Sequence, residues 1–230
     1  MGEEIFPNIN IPEAQITHNT LCTTPGNGEI TINDGDITLD GAAANVGDFT
    51  WTATFEGAPV SNVNDSISGS QLTFGSLTAG SYAFIATSAQ GCASSEFEVI
   101  ILDQSINPEI DSVQVVADNS CGSGMFGSIE ILLIDGSAPT GDYTFVWRDP
   151  SNNVLPGENS SVLVNQSAGT YTVEITNTVN GCTTSQQIAI GNEPIDPIIS
   201  NTETNNVTSC IDNGSIVILE AIYNGVTYDS

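Results

Sequence analysis

The stretch Ala79–Cys92, AGSYAFIATSAQGC, returns as Ala168–Cys182, AGTYTVEITNTVNGC. Gly80 and Gly169 are 89 residues apart, and so are Tyr82 and Tyr171. A recurrence at one spacing constrains the fold more than any composition does, because each copy must be the same structural unit. In a chain of 230 residues the period leaves two units and a remainder. Units of about 90–100 residues are large enough to bury a core of their own.

Each copy reads as β structure. Phe49, Trp51, Ala53 and Phe55 alternate with Thr50, Thr52, Thr54 and Glu56. That period of two gives one apolar and one polar face, the mark of a half-buried strand. Tyr143, Phe145 and Trp147 hold the same place in the second copy. Ile30 and Ile32, and then Ile129, Ile131 and Leu133, predict a strand before it. Gly80–Ser88, and the run through Tyr171, Val173 and Ile175, predict one after it. Phe97, Val99 and Ile101, and later Ile188 and Ile190, close each copy. Ile9–Leu21, interrupted at Pro12, and Asp111–Ala117 open them as edge strands. Gln71–Leu77 and Ser161–Asn165 are short strands, and Asn33–Gly47 reads as a Gly/Asp loop. Seven strands per copy, with Trp on the third and Tyr opening the sixth, predict tandem immunoglobulin-like Greek-key β-sandwiches. The boundaries expected are a lead-in over 1–8, repeats over 9–105 and 106–195, and a partial repeat over 196–230. That last piece should hold strands A and B and the start of C, with Tyr228 matching Tyr143. The joints repeat as well: Ile106-Asn107-Pro108 answers Ile195-Asp196-Pro197. Proline narrows the backbone, so these joints should be stiff.

Five cysteines fall in repeat order. Cys22 and Cys92 flank the first unit, and Cys121 and Cys182 the second. Cys210 opens the third, and its closing partner is expected past Ser230. The expected disulfides are Cys22–Cys92 and Cys121–Cys182, each stapling one end of its own sandwich. Loops of that size gain about 4 kcal/mol from closure. The alternative is buried free thiols. Oxidised pairs imply an extracellular or envelope setting.

Twenty-eight acidic residues stand against one basic residue, Arg148, for a net charge of −27. Nucleic acid is excluded as a partner, since phosphate binding needs Lys and Arg. An anionic membrane would repel the chain, and no stretch is long and apolar enough to insert. MGEEIFPN has neither a basic region nor an apolar run, so it is not a signal peptide, and the chain reads as the interior of something longer.

With this charge, cations are the natural small partners. Asp103, Glu109, Asp111, Glu193 and Asp196 cluster at the joints and could bind Ca²⁺. The alternative is a solvated acidic surface, and no motif requires a cofactor. Asn33-Asp34-Gly35-Asp36 with Asp40 is a second calcium candidate, set against a plain turn, and it lacks EF-hand spacing. Trp51, Trp147, Tyr82 and Tyr171 could stack on sugars, but their alternating positions make them core. His18 is the only histidine and there is no lysine, so nucleophilic catalysis has no machinery. A carboxylate pair acting on glycosides is the arrangement left open, and the expectation is no enzyme.

Each unit shows Cys, then Gly-Ser-Ile or Gly-Glu-Ile, an aromatic strand near Trp, Ala-Gly-x-Tyr, Gly-Cys, an Ile-rich strand and Pro. This pattern resembles the SprB repeats of gliding-motility adhesins, very long cell-surface proteins of Bacteroidetes. The resemblance covers about 20–192, with a partial copy from 196. The first unit departs from it by lacking the Gly-rich, Pro-Tyr lead into its Trp strand. The resemblance implies export by the type IX pathway and an adhesive or filament role, without catalysis. The expected partners are neighbouring repeats of the same polypeptide and a surface polysaccharide or another cell-surface protein. Two alternatives stand beside it: a glycan- or surface-binding module attached to a secreted enzyme, and a strand-exchanging filament subunit.

Overall fold

The computed structural model describes residues 6–60, 64–121, 124–206, 208, 214–223 and 225–229, with backbone alone at 64–66 and 229. The chain divides into two compact units. Unit 1 is Met1–Asn107 with Asn177–Thr183, and unit 2 is Pro108–Thr176 with Thr184–Ser230.

Unit 1 contains β1 (Pro7–Ile9), β2 (Ile16–Thr17), β3 (Gly28–Asn33), β4 (Ile37–Leu39), β5 (Ala42–Ala43), β6 (Phe49–Phe55), β7 (Ala58–Pro59), β8 (Asn64–Ser68), β9 (Gln71–Leu77), β10 (Gly80–Ser88) and β11 (Phe97–Ile101). One sheet runs β2-β3-β9-β8 and the other β11-β10-β6-β7. In immunoglobulin lettering these are A-B-E-D and G-F-C-C′, so the predicted sandwich is present. Ile30, Ile32, Leu72 and Phe74 from the first sheet share one core with Phe49, Tyr82, Phe84, Val99 and Ile101 from the second. The rings of Phe74 and Phe84 meet across the layers at 4.7 Å.

Unit 2 repeats the plan with β12 (Ile110–Val116), β13 (Gly127–Ile134), β14 (Tyr143–Arg148), β15 (Val162–Gln166), β16 (Gly169–Asn177) and β17 (Thr183–Ile190). Its sheets are β12-β13-β15 and β14-β16-β17. Trp147 is fully buried among Ile129, Ile131, Leu163, Val173 and Ile175. Beyond them, β18 (Ile198–Asn205), β19 (Ser215–Tyr223) and β20 (Val226–Asp229) form a separate three-stranded sheet.

The repeated Ala-Gly-x-Tyr motif has a physical basis. Tyr82 and Tyr171 are buried, and each donates its hydroxyl to the carbonyl four residues upstream, Thr78 or Ser167, at 3.1 Å. That bond is the tyrosine corner of this fold. The glycine ahead of it is needed for space. At Gly80 (φ +145°) a Cβ would strike the Phe55 ring, and at Gly169 it would come 2.6 Å from Pro150 Cγ.

Four sequence expectations are corrected. The lead-in is not idle: Pro7 and Ile9 are buried in β1, which pairs with β4. The Asn33–Gly47 loop contains β4 and β5 and buries Ile37 and Val46 completely, since two large aliphatics gain more from the core than from solvent. In β13 the alternation slips: Leu133 is exposed and Ile134 buried, because the ladder with β12 shifts register there, as at a β-bulge. The expected start of strand C in the third repeat is instead β20, a hairpin partner of β19 in which Tyr228 faces Ala221. In the complete copies this strand pairs with strand F, β10 or β16. Among the described residues of 196–230 there is no such partner, and β20 lies instead on the open edge of β19. Asn-Gly, here Asn224-Gly225, is the strongest short hairpin signal in a sequence.

Candidate functional site

The chemistry of this chain is concentrated in its cysteine-bearing turns. Cys22 and Cys121 lie in the turns ahead of β3 and β13, and Cys92 and Cys182 in the turns between β10 and β11 and between β16 and β17. Each opening cysteine follows a buried polar anchor by three residues. Asn19 Oδ1 accepts the N–H groups of Leu21 (3.3 Å) and Asn27 (3.0 Å), and its Nδ2 donates to Leu21 O (2.8 Å). Asp118 Oδ1 accepts from Ser120 N (3.1 Å) and Phe126 N (3.3 Å), and Oδ2 from Ala168 N (3.3 Å). Both anchors are 5% exposed. The anchors bridge Asp103 and Asn192 respectively, which are themselves equivalent positions.

The structure joins Cys22 to Cys182, with Cα atoms 4.9 Å apart and a sequence separation of 160. Both lie in unit 1, to which Asn177–Thr183 belongs. The Cys22 N–H donates to Asn180 O (2.8 Å), the Asn180 Nδ2 to Ile106 O (3.1 Å), and the Cys182 N–H to Asn180 Oδ1 (2.9 Å). The cysteine at 182 is fully buried. Among the described residues Cys92 and Cys121 are free thiols, and Cys210 lies outside those residues.

The expected pairs Cys22–Cys92 and Cys121–Cys182 are therefore corrected, and the reason is the length of a strand. The Cys22 turn lies against the corner between β9 and β10: a Cβ on Gly26 would come 2.9 Å from Thr78 Cα. Cys92 follows the far end of β10, a strand of nine residues. At about 3.3 Å per residue that strand is roughly 27 Å long. A disulfide needs Cα atoms within about 7 Å. The same holds in the second sequence copy, where Asp118 beside Cys121 is bonded to Ala168 at the start of β16 while Cys182 follows the end of that strand.

Three of the five joint carboxylates, those of Asp103, Asp111 and Asp196, make polar contacts. Asp103 accepts the hydroxyl and N–H of Ser105 at 2.6 and 3.0 Å, which hold its carboxyl below the ordinary value. Asp111 accepts the Gly136 N–H at 2.6 Å, and Asp196 Oδ1 lies 3.8 Å from Cys121 Sγ. Glu109 and Glu193 are engaged through their backbones, with Asp135 and Asp118. No group of three or more His, Cys, Asp and Glu with metal-site geometry occurs among the described residues. In the second calcium candidate, Asp34 caps Val46 N (2.8 Å) and Asp36 caps Asn33 N (2.7 Å), the arrangement of a plain turn. Trp147, Tyr82 and Tyr171 are core, and half-buried Trp51 packs against it with Nε1 donating to Val46 O. His18 Nδ1 accepts the Leu102 N–H, and its Nε2 lies 3.5 Å from Glu13.

The Ser120 hydroxyl first, then the N–H groups of Ser120, Phe126 and Ala168, hold the Asp118 carboxyl below the ordinary carboxylate value. A lowered folded pKa contributes stability above the unfolded value, about 3.9, and loses it as pH falls toward the folded value. An asparagine at 118 would set an NH₂ group against the Ala168 N–H, as a protonated carboxyl does with its O–H. Asp118→Asn is thus expected to be less stable than the native chain at pH 7, and the gap should close on acidification below about pH 4. Urea unfolding of both proteins at pH 7 and pH 3 measures it; a gap that does not change with pH would contradict the role given to this carboxylate.

No family model and no curated protein matches the sequence. Solved structures similar in fold include the amphioxus IgVJ-C2 molecule, at 13% identity over 76% of this chain and 98% of that one, with a TM-score of 0.26. Extracellular domains 3–5 of Drosophila OTK align at 12% identity over 77% of this chain and 59% of that one, with a TM-score of 0.28. The C-terminal 282-residue fragment of intimin, solved with the intimin-binding domain of its translocated receptor, aligns at 17% identity over 83% and 67%, with a TM-score of 0.30.

Proposed function

We propose that this chain is a structural and adhesive segment of an extracellular bacterial surface protein, built from tandem immunoglobulin-like repeats of the SprB kind and without catalytic activity. What supports this reading above all is the Cys22–Cys182 bond. It implies an oxidising compartment. It also ties the opening cysteine of one sequence repeat to the closing cysteine of the next. Tension applied at the termini then crosses the sulfur–sulfur bond and bypasses residues 23–181 between them. The strands between the two cysteines, β3 to β16, are spared the load, a useful property in a stalk. The extreme acidity keeps such a surface protein soluble.

Single-molecule pulling from the two ends tests this. Oxidised protein is expected to extend without releasing residues 23–181. Reduced protein should release a further ~560 Å, at roughly 3.5 Å per residue. Equal contour lengths would overturn the mechanical reading, and selective retention of one polysaccharide on a glycan array would favour the glycan-binding alternative.

The strand-exchanging alternative has one observation in its favour. The sheet β18-β19-β20 leaves Ile198, Ile199, Ile216 and Tyr228 more than half exposed. Apolar side chains exposed on both sides of this sheet gain by being covered. Light scattering against concentration, with and without residues 196–230, separates a monomer from a self-completing subunit.

A further inference from the structure

The occupied site in unit 1 shows what an opening turn accepts. Its occupant is the turn within Asn177–Thr183, and three successive residues of that turn each make a contact. Asn180 accepts the Cys22 N–H at its carbonyl (2.8 Å) and donates Nδ2 to Ile106 O (3.1 Å). Gly181 lies so close that a Cβ there would strike the Thr23 side chain. Cys182 supplies the sulfur. The other closing turn differs: Gln90 stands in the place of Asn180, and a Cβ on Gly91 would meet nothing. The ligand of an opening turn is thus a reverse turn with the sequence Asn-Gly-Cys.

The turn that carries Cys121 repeats the receiving half of this arrangement within unit 2. The joint is held to its anchor in the same way at both places: Gln104 N–H donates to Asn19 O (2.7 Å), and Glu193 N–H to Asp118 O (2.9 Å). Cys121 Sγ lies 3.8 Å from Asp196 Oδ1, as Cys22 Sγ lies 3.8 Å from Asn107 Oδ1. The acceptor is in place as well. Ile195 O, the counterpart of Ile106 O, accepts the Cys121 thiol at 2.9 Å. The thiol therefore holds the carbonyl that an incoming asparagine amide would claim, and a disulfide at Cys121 would release it.

We propose that Cys121 and Ile195 O form a linkage site for a turn of the Asn-Gly-Cys class, whose cysteine becomes bonded to Cys121. The proposal rests on the oxidising setting argued above. Cys121 is exposed, so such a turn can reach it. The turn offers the same chemistry whether it belongs to the same polypeptide or to a separate one. The step is a thiol–disulfide exchange, with a small disulfide such as oxidised glutathione as the oxidant. The thiolate of the turn attacks it, forming a mixed disulfide and releasing one glutathione thiolate. The Cys121 thiolate attacks the turn's sulfur in that mixed disulfide and displaces the second glutathione. Two thiols are oxidised, and one small disulfide is reduced to two thiols, which take up the two protons.

The test uses the full chain with Cys92→Ser and Cys210→Ser, which leave Cys121 to react. The probe is a peptide of residues 176–183, cyclised through D-Pro-Gly to keep the turn. Both stand in a glutathione redox buffer, and unreduced peptide maps give the ratio of probe-bound to glutathione-bound Cys121. That ratio is expected to fall about tenfold when the probe carries Asn180→Ala, the worth of the hydrogen bonds its side chain makes. In concentrated urea the two probes should bond equally. Equal ratios on the folded chain overturn the proposal, because Cys121 is then an ordinary exposed thiol. A map of the unsubstituted chain with Cys121 bonded to Cys92 or Cys210 overturns it too. Maps of the protein from its own cells separate the sources. Cys121 linked to an Asn-Gly-Cys turn of the same polypeptide, or of a second one, upholds the site, and a free Cys121 there contradicts it. None of these outcomes involves the Cys22–Cys182 bond, so the pulling experiment and this one fail separately.

Discussion

Reducing the Cys22–Cys182 bond, or replacing Cys22 by serine, is expected to lower unfolding free energy by about 5 kcal/mol, the loop-closure value for a separation of this size. The bond spans 160 residues, so its removal frees most of the chain in the unfolded ensemble. Cys22 is the better site for the substitution, because it is exposed while Cys182 is fully buried and a serine there would add a buried hydroxyl. Urea unfolding with and without a phosphine reductant measures the loss. Cys121→Ser, which removes a free thiol, is the control and should leave the curve in place. Superimposed oxidised and reduced curves would show that the bond does not close this loop.

Trp147→Ala should cost about 4 kcal/mol, the usual value for deleting a large buried aromatic. Trp147 is fully buried, and its Nε1 donates to Ser160 O at 2.8 Å, so the deletion leaves both a cavity and an unpaired carbonyl. Trp51 stands on the equivalent strand but is only half-buried, and it donates to Val46 O at 3.1 Å. Trp51→Ala should cost about half as much, because less apolar area leaves water there. Denaturant midpoints of the two variants test the ordering. A larger loss at Trp51 would contradict the difference in burial between the two positions.

Much of the fold was legible because two copies could be read against each other. The alternation from Phe49 to Phe55 and from Tyr143 to Trp147 identified inward-facing strands, and the spacing of Tyr82 and Tyr171 located both tyrosine corners. What was missed has physical causes. Ile37 and Val46 sit in a segment whose Gly and Asp content masks short strands. The slip at Leu133 and Ile134 depends on the register with β12, which no local pattern records. The hairpin at β20 has a sequence signal in Asn224-Gly225, which alignment of Tyr228 with Tyr143 hides.

The disulfides show where a repeat pattern misleads. Cysteines that flank a unit in sequence are not neighbours in space. Counting reversals in a seven-strand antiparallel sandwich shows why. The turn after the first strand and the turn after the sixth are separated by an odd number of strands, so they lie at opposite ends. The closing partner of Cys22 had to come from elsewhere, and the structure supplies it from the following sequence repeat.

Arg148, the sole basic residue, makes that pairing directly measurable. After thiols are blocked with N-ethylmaleimide in urea, trypsin cuts the chain once, between the side that carries Cys22, Cys92 and Cys121 and the side that carries Cys182 and Cys210. On a non-reducing gel the native and Cys121→Ser proteins should each remain one band, while Cys22→Ser separates into two fragments. Fragments that stay joined in Cys22→Ser and separate in Cys121→Ser would return the bond to a single repeat and contradict the linkage of one repeat to the next.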